Sequence, residues 1–238
     1  MLKSSKHRDY LVQKGHMRVD KEIGVVHLVG YPVLIRNNLK TQFLEMFEDA
    51  ILVSPSYFAR AAILEGVNVP VQDFVRFTDG SDTFPPTFLV GNSLCSLVSL
   101  FIRSQFVEQK NTWPIKLQSS GVSYHAKNDT IDLAYGRQRL KHSILALAIT
   151  DEQMDQFAND SMTRIGALLD EGLMLDISWI GDYISRRLNI TADNGDFLRM
   201  VYVETNVDRV LARIFDNLVD GGDIPKSLRD AVGSSDAV

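Results

Sequence analysis

The sequence predicts an α+β fold: a small, irregular antiparallel sheet packed on helices and followed by a helical C-terminal segment. Three observations carry this. Short β-branched and alternating runs are concentrated in residues 22–135, and residues 136–219 are dominated by apolar positions at helical spacing. Between Asp82 and Arg103 lies an uncharged stretch, Thr83 to Ile102, whose apolar side chains offer surface to both halves. The expected organisation is a flexible basic arm over 1–21, one α+β domain over 22–220 and a polar acidic tail over 221–238. The domain divides into a mixed lobe, 22–135, and a helical lobe, 136–220.

At 238 residues the chain is long enough to bury a substantial core, and its 45% hydrophobic and 23% charged residues are ordinary for a globular protein. No apolar run follows the N-terminal charges, so no secretory leader is expected, and the expected setting is the cytoplasm. The single cysteine, Cys95, excludes an internal disulfide and a cysteine-based zinc site, and reads as a buried small hydrophobe.

The elements follow in order. Residues 1–21 show no period. Ile23–Ile35 is β-branched, broken by Gly30 and Pro32, and reads as one or two strands, with His27 a core histidine. Asn38 is placed to cap a helix carrying Leu39, Phe43, Leu44, Phe47 and Ile51, and Tyr57–Glu65 reads as a short helix ended by Gly66. Thr78–Pro86 is a loop rich in turn formers. Leu94, Leu97, Val98, Phe101 and Ile102 share one helix face, which predicts a central helix over 92–106. Its apolar part falls well short of the roughly 20 residues that span a bilayer. Ile115–Gln118, Gly121–His125 and Thr130–Tyr135 alternate as strands, with a hairpin turn at 127–129.

Beyond residue 136 every segment reads as helix. Thr150 and Gln153 have capping-box spacing for the helix that carries Met154, Phe157 and Ile165, which Gly172 stops, and Asp176 caps a further helix. Val207, Val210, Leu211, Ile214, Phe215, Leu218 and Val219 form the most regular apolar stripe.

No Gly-rich phosphate loop, Gly-x-Ser-x-Gly elbow or His-Glu-x-x-His helix is present, and the five histidines form no metal-ligand pair. No cofactor and no metal are expected, and the chain reads as a non-enzyme. A helix-turn-helix over Ile184–Val201 fails on the carboxylates of Asp193 and Asp196 where a reading helix would begin.

The net charge of −5 is unevenly spread: +4 over 1–21, −4 over 22–102, +4 over 103–142 and −9 over 143–238. The second basic segment interleaves cations with aromatics: Lys110, Trp113, Lys116, Tyr124, His125, Lys127, Tyr135, Arg137, Arg139 and Lys141. The arm adds Lys3, Lys6, Arg8, Tyr10, Lys14, Arg18 and Lys21. Cations that track phosphates beside rings that stack on bases, at ~1–3 kcal/mol per stack, are what single-stranded nucleic acid requires. Within this pattern Trp113 is the expected exposed stacking platform and Trp179 the buried tryptophan. The layout of basic arm, aromatic hairpin and acidic tail resembles that of viral accessory proteins that coat single-stranded DNA for replication or transcription. The expected function is therefore non-enzymatic single-stranded DNA binding as a homo-oligomer, with a protein partner and without a membrane. An acidic scaffold and an enzyme with dispersed residues are the alternatives.

Overall fold

The computed structural model describes residues 5–77, 85–125, 131–168 and 176–232. Lys3, Lys127, the expected turn at 127–129, the stop at Gly172, most of the 78–86 loop and the end of the tail lie outside the described residues. The elements run α1 (Lys6–Gln13), β1 (Met17–Asp20), β2 (Val25–Leu28), α2 (Tyr31–Met46), β3 (Ile51–Leu52), β4 (Phe58–Arg60), α3 (Ala61–Val67), β5 (Val75–Phe77), β6 (Thr87–Leu89) and α4 (Leu94–Val98). Then come β7 (Gln105–Phe106), β8 (Ile115–Tyr124), β9 (Gln138–Ala148), α5 (Asp151–Leu168), β10 (Asp176–Gly181), α6 (Tyr183–Leu188), β11 (Thr191–Ala192), β12 (Arg199–Asn206), α7 (Val207–Val219) and α8 (Lys226–Val232). The fold is α+β, with helices packed on small sheets and a helical C-terminal end.

The largest sheet has the order β10-β12-β9-β8-β3. Its first four strands are mutually antiparallel and β3 runs parallel to β8, pairing Ile51 with Leu117. Because side chains alternate along a strand, β9 serves two cores. Leu140, Ile144, Ala146 and Ala148 point to a face covered by Leu39 and Phe43 of α2, Phe47 just beyond it, Phe157 of α5 and Phe215 of α7. Leu145 and Leu147 point to the other face, with Leu64 of α3, Leu97 of α4 and Leu188 of α6. A strand buried on both sides loses the apolar-polar alternation that announces strands in sequence. That is why residues 138–148, expected as helix, are strand. Residues 199–206 are strand for the same reason, while 176–181, half exposed at the sheet edge, are strand through pairing with them.

Other expectations are corrected locally. Within the arm, residues 6–13 form a helix whose Leu11 is fully buried against the α7 side of the core. The stretch Ile23–Ile35 divides: Val25–Leu28 pairs with β1, and α2 begins at Tyr31 with Pro32 in its first turn. His27 is exposed on β2 rather than in the core. The central helix is five residues followed by a 3-10 turn, Ser99–Phe101, and Arg103 adopts a left-handed conformation that ends it. The partner of β8 is β9, not the 130–135 segment. The capping of α5 is as expected: Gln153 Oε1 accepts from Ile149 N at 3.0 Å, and Thr150 Oγ1 from Gln153 N at 3.3 Å. Of the α7 stripe, Val207, Val210, Leu211, Ile214 and Phe215 are buried within their own chain, Leu218 is partly buried and Val219 is exposed. Among the described residues, no helix is long and apolar enough to cross a membrane.

Candidate functional site

The second face of the main sheet is apolar at one end and polar at the other. Ile115, Leu117, Leu145, Leu147 and Met200 occupy the apolar end, under α3, α4 and α6. Two residues further along each strand the character changes to Ser119, Gly121 and Ser123 on β8, Ser143, Lys141 and Arg139 on β9, and Glu204 on β12. The pairing register brings them together: Ser119 and Glu204 both lie beside Ser143, and Lys141 beside Gly121. A buried sheet face that is polar over half its length calls for a polar occupant or an internal network.

Part of the network is internal. Asn92, fully buried, lies on β8 and β9 and donates from Nδ2 to Ser119 O (3.2 Å), Lys141 O (3.0 Å) and Ser143 Oγ (3.3 Å). Gly91 permits this approach, because its φ is 64° and a Cβ there would collide with the Val122 carbonyl oxygen. Ser143 and Tyr202 hydroxyls are 3.0 Å apart, Tyr202 donates to Glu204 Oε2 at 2.7 Å, and Lys141 Nζ donates to Glu204 Oε1 at 2.5 Å. Burial holds the Tyr202 phenol well above its ordinary pKa, and the Glu204 charge adds to this.

Part of it is open. Arg139 donates from Nε to Gly136 O at 3.0 Å, and among the described residues no carboxylate lies within ion-pair distance of it. Burial lowers its pKa, against the pull of Glu204 and Asp132, while the Arg209 charge adds to the lowering. Arg209 stands in the first turn of α7, its backbone N–H capped by Asn206 Oδ1 at 3.0 Å and its guanidinium over the Tyr135 ring. Burial first, then the charges of Arg139 and Lys141, push His125 down to about 4. The buried Asn92 Oδ1 and His125 Nε2 have no hydrogen-bond partner among the described residues. Arg139, Lys141 and Arg209 against Glu204 and Asp132 make a partly desolvated, net positive floor suited to a phosphate.

Of the residues singled out in the sequence, Tyr124, His125, Tyr135, Arg139 and Lys141 belong to this place, Tyr124 through an edge contact with Tyr57 and Tyr135 through the Arg209 guanidinium over its ring. Lys6 is paired with Asp220 at 2.7 Å, Arg8 with Asp9 at 3.6 Å, and Lys116 with Asp49 at 2.7 Å. Tyr10 packs near Phe215 with Lys14 over its ring, while Arg18, Lys21, Lys110 and Arg137 are exposed and scattered. The two tryptophans exchange their expected settings. Trp113 is half-buried against Phe106 and donates to Glu108 O at 2.9 Å, whereas Trp179 is 52% exposed on β10. Sequence reasoning missed Asn92, Ser143, Tyr202, Glu204 and Arg209. The available signal was the spacing of Arg139, Lys141 and Ser143, which puts all three on one side of a strand.

No family model matches the chain, and no curated relative matches it. Solved structures do. The cytoplasmic serine-tRNA ligase of Naegleria fowleri, in complex with AMP, superposes with a TM-score of 0.79 at 17% identity, over 98% of this chain and 67% of that one. The prolyl-tRNA synthetase of Cryptosporidium parvum, complexed with halofuginone and AMPPNP, gives 0.77 at 10% identity, over 93% and 55%. That of Giardia lamblia, in complex with prolyl-adenylate, gives 0.75 at 10% identity, over 87% and 51%. The chain shares the fold of aminoacyl-tRNA synthetases. It spans about two thirds of the seryl enzyme and about half of the prolyl ones. This overturns the expectation of a non-enzymatic viral accessory protein that coats single-stranded DNA in replication or transcription: the fold is one that ligases use.

Proposed function

We propose that this synthetase-like protein is a ligase that binds an adenine nucleotide on the polar half of the main sheet, with Arg139, Lys141 and Arg209 facing the phosphate. The observation that carries the reading is Arg139, half-buried on β9 without a carboxylate partner among the described residues, in a fold whose solved examples hold AMP, AMPPNP or prolyl-adenylate. A desolvated guanidinium binds a phosphate more strongly than an exposed one, because its field is less screened there. His125, held neutral above about pH 4, is left as an uncharged hydrogen-bonding neighbour to that phosphate.

The reaction class that suits such a site is carboxylate activation. A carboxylate oxygen forms a bond to the α-phosphorus of ATP, the bond from that phosphorus to the bridging oxygen breaks, and pyrophosphate leaves with the electron pair. Arg139 would neutralise charge on the α-phosphate as the new bond forms. Calorimetric titration with AMP and ATP tests the binding step, and ATP–pyrophosphate exchange across a panel of amino acids tests the chemistry. Arg139→Met should abolish both while leaving thermal unfolding unchanged. A folded wild-type protein that ignores AMP and ATP at millimolar concentration would sink the proposal.

A further inference from the structure

Between Asn92 and Glu204 the side-chain hydrogen bonds run one way. Asn92 Nδ2 donates to Ser143 Oγ. The Tyr202 phenol gives its only proton to Glu204, so the 3.0 Å contact between the Ser143 and Tyr202 hydroxyls has Ser143 as donor. Lys141 reaches the same carboxylate from the other side. Two oxygens of one side chain thus terminate a chain of four donors, and they sit 16% exposed on an otherwise net positive surface. A carboxylate with a 2.5 Å lysine contact and a 2.7 Å phenol contact makes the interactions that a phosphate oxygen would make there.

We infer that Glu204 is a built-in anion that occupies Lys141 in place of a ligand phosphate, and so sets the affinity of the site for phosphate-bearing ligands. This rests on the nucleotide reading above and deepens it. Lys141 and the Ser143–Tyr202 pair are ready to hold an anion, but entry of one displaces the Glu204 carboxylate or places a second negative charge beside it. Like charges a few ångströms apart in a partly buried site repel strongly. The site therefore discriminates by charge: a neutral nucleoside meets no penalty, while a monophosphate must compete with Glu204.

The test is a four-way titration of wild type and Glu204→Gln with AMP and with adenosine. Glu204→Gln is isosteric, keeps an acceptor for Lys141 and removes the charge. AMP should bind the variant about tenfold more tightly or better, with adenosine changed less than about twofold, since no charge pair is involved. AMP binding that is equal or weaker in the variant, with wild type binding AMP, overturns the role of Glu204 and leaves the nucleotide reading standing. Equal gains for adenosine and AMP also overturn it, because the effect would then not be electrostatic. Folded proteins that both ignore AMP refute the nucleotide reading and this inference together. If Glu204→Gln does not fold, Glu204→Ala takes its place: it too removes the charge, so it should tighten AMP binding and leave adenosine nearly unchanged, and unchanged or weaker AMP binding overturns the inference.

Discussion

Arg36 on α2 grips Asp208 on α7 with two hydrogen bonds, Nε to Oδ1 at 2.5 Å and Nη2 to Oδ2 at 2.7 Å. Asp208 is 2% exposed, and its Oδ2 also accepts from the backbone N of Leu140 at 2.6 Å. One carboxylate therefore ties two helices to β9 between Arg139 and Lys141. Removing its cation leaves a buried charge uncompensated. Arg36→Met should destabilise the fold by about 3 kcal/mol, read as a lower urea midpoint. Lys6→Ala, which breaks an ion pair whose side chains are 63% and 56% exposed, should leave the midpoint where it is. Equal effects would show that burial is not what makes the Arg36 pair matter.

A second prediction concerns acid. His142 is 1% exposed, stacked near Phe43 and Phe47, with Nδ1 2.8 Å from Ser120 Oγ. Burial pushes its imidazole down to about 3, against about 6.5 in the unfolded chain. The folded value is the lower one, so the unfolded state binds the proton first as pH falls. Stability from this residue is complete above pH 6.5 and is lost progressively toward pH 3, by up to ~5 kcal/mol. Urea midpoints at pH 7, 5.5 and 4.5 should fall in wild type and fall less in His142→Gln. Parallel decline in both proteins would assign the acid sensitivity to other groups.

The tryptophans supply a third. Acrylamide should quench Trp179 readily and Trp113 poorly, which single-tryptophan variants resolve. Trp113→Ala should lower stability by ~2 kcal/mol, since the ring lies against Phe106 and its Nε1–H is satisfied by Glu108 O. The same change at Trp179 should be near neutral.

Cys95 supplies the fourth. It is 2% exposed, and burial pushes its thiol up to about 12, so at pH 8 almost no thiolate forms. Ellman's reagent should react with the native protein only at the rate of unfolding, and at once in denaturant. Rapid labelling of the native protein would contradict the burial.

Where local chemistry decides structure, the sequence was readable. Thr150 and Gln153 form their cap, Val207 to Phe215 make a buried stripe, and Cys95 is buried, because each depends on neighbours three or four residues away. The main sheet was not readable in the same way. Ile144, Leu145, Leu147 and Ala148 carry no alternation, since both sides of β9 are covered. The site was hidden for a related reason. Lys141 and Glu204 are 63 positions apart, and Asn92 is 51 from Ser143. A run of positive charge says nothing about whether each cation already has a partner. Lys6 finds Asp220, 214 residues away, and Lys116 finds Asp49, so two of the supposed nucleic-acid contacts are structural pairs.

The docking of α1 on α7 has a consequence for how the molecule is made. Leu11 and Tyr10 complete their contacts only when Phe215 exists, and β9 lacks one of its two neighbours until β12 has been synthesised. A nascent chain leaving the ribosome holds the uncovered faces of β8 and β9 for the time it takes to add roughly a quarter of its length, on the order of several seconds at typical elongation rates. Topologies that defer closure in this way fold slowly, and they invite holdase chaperones to bridge the interval.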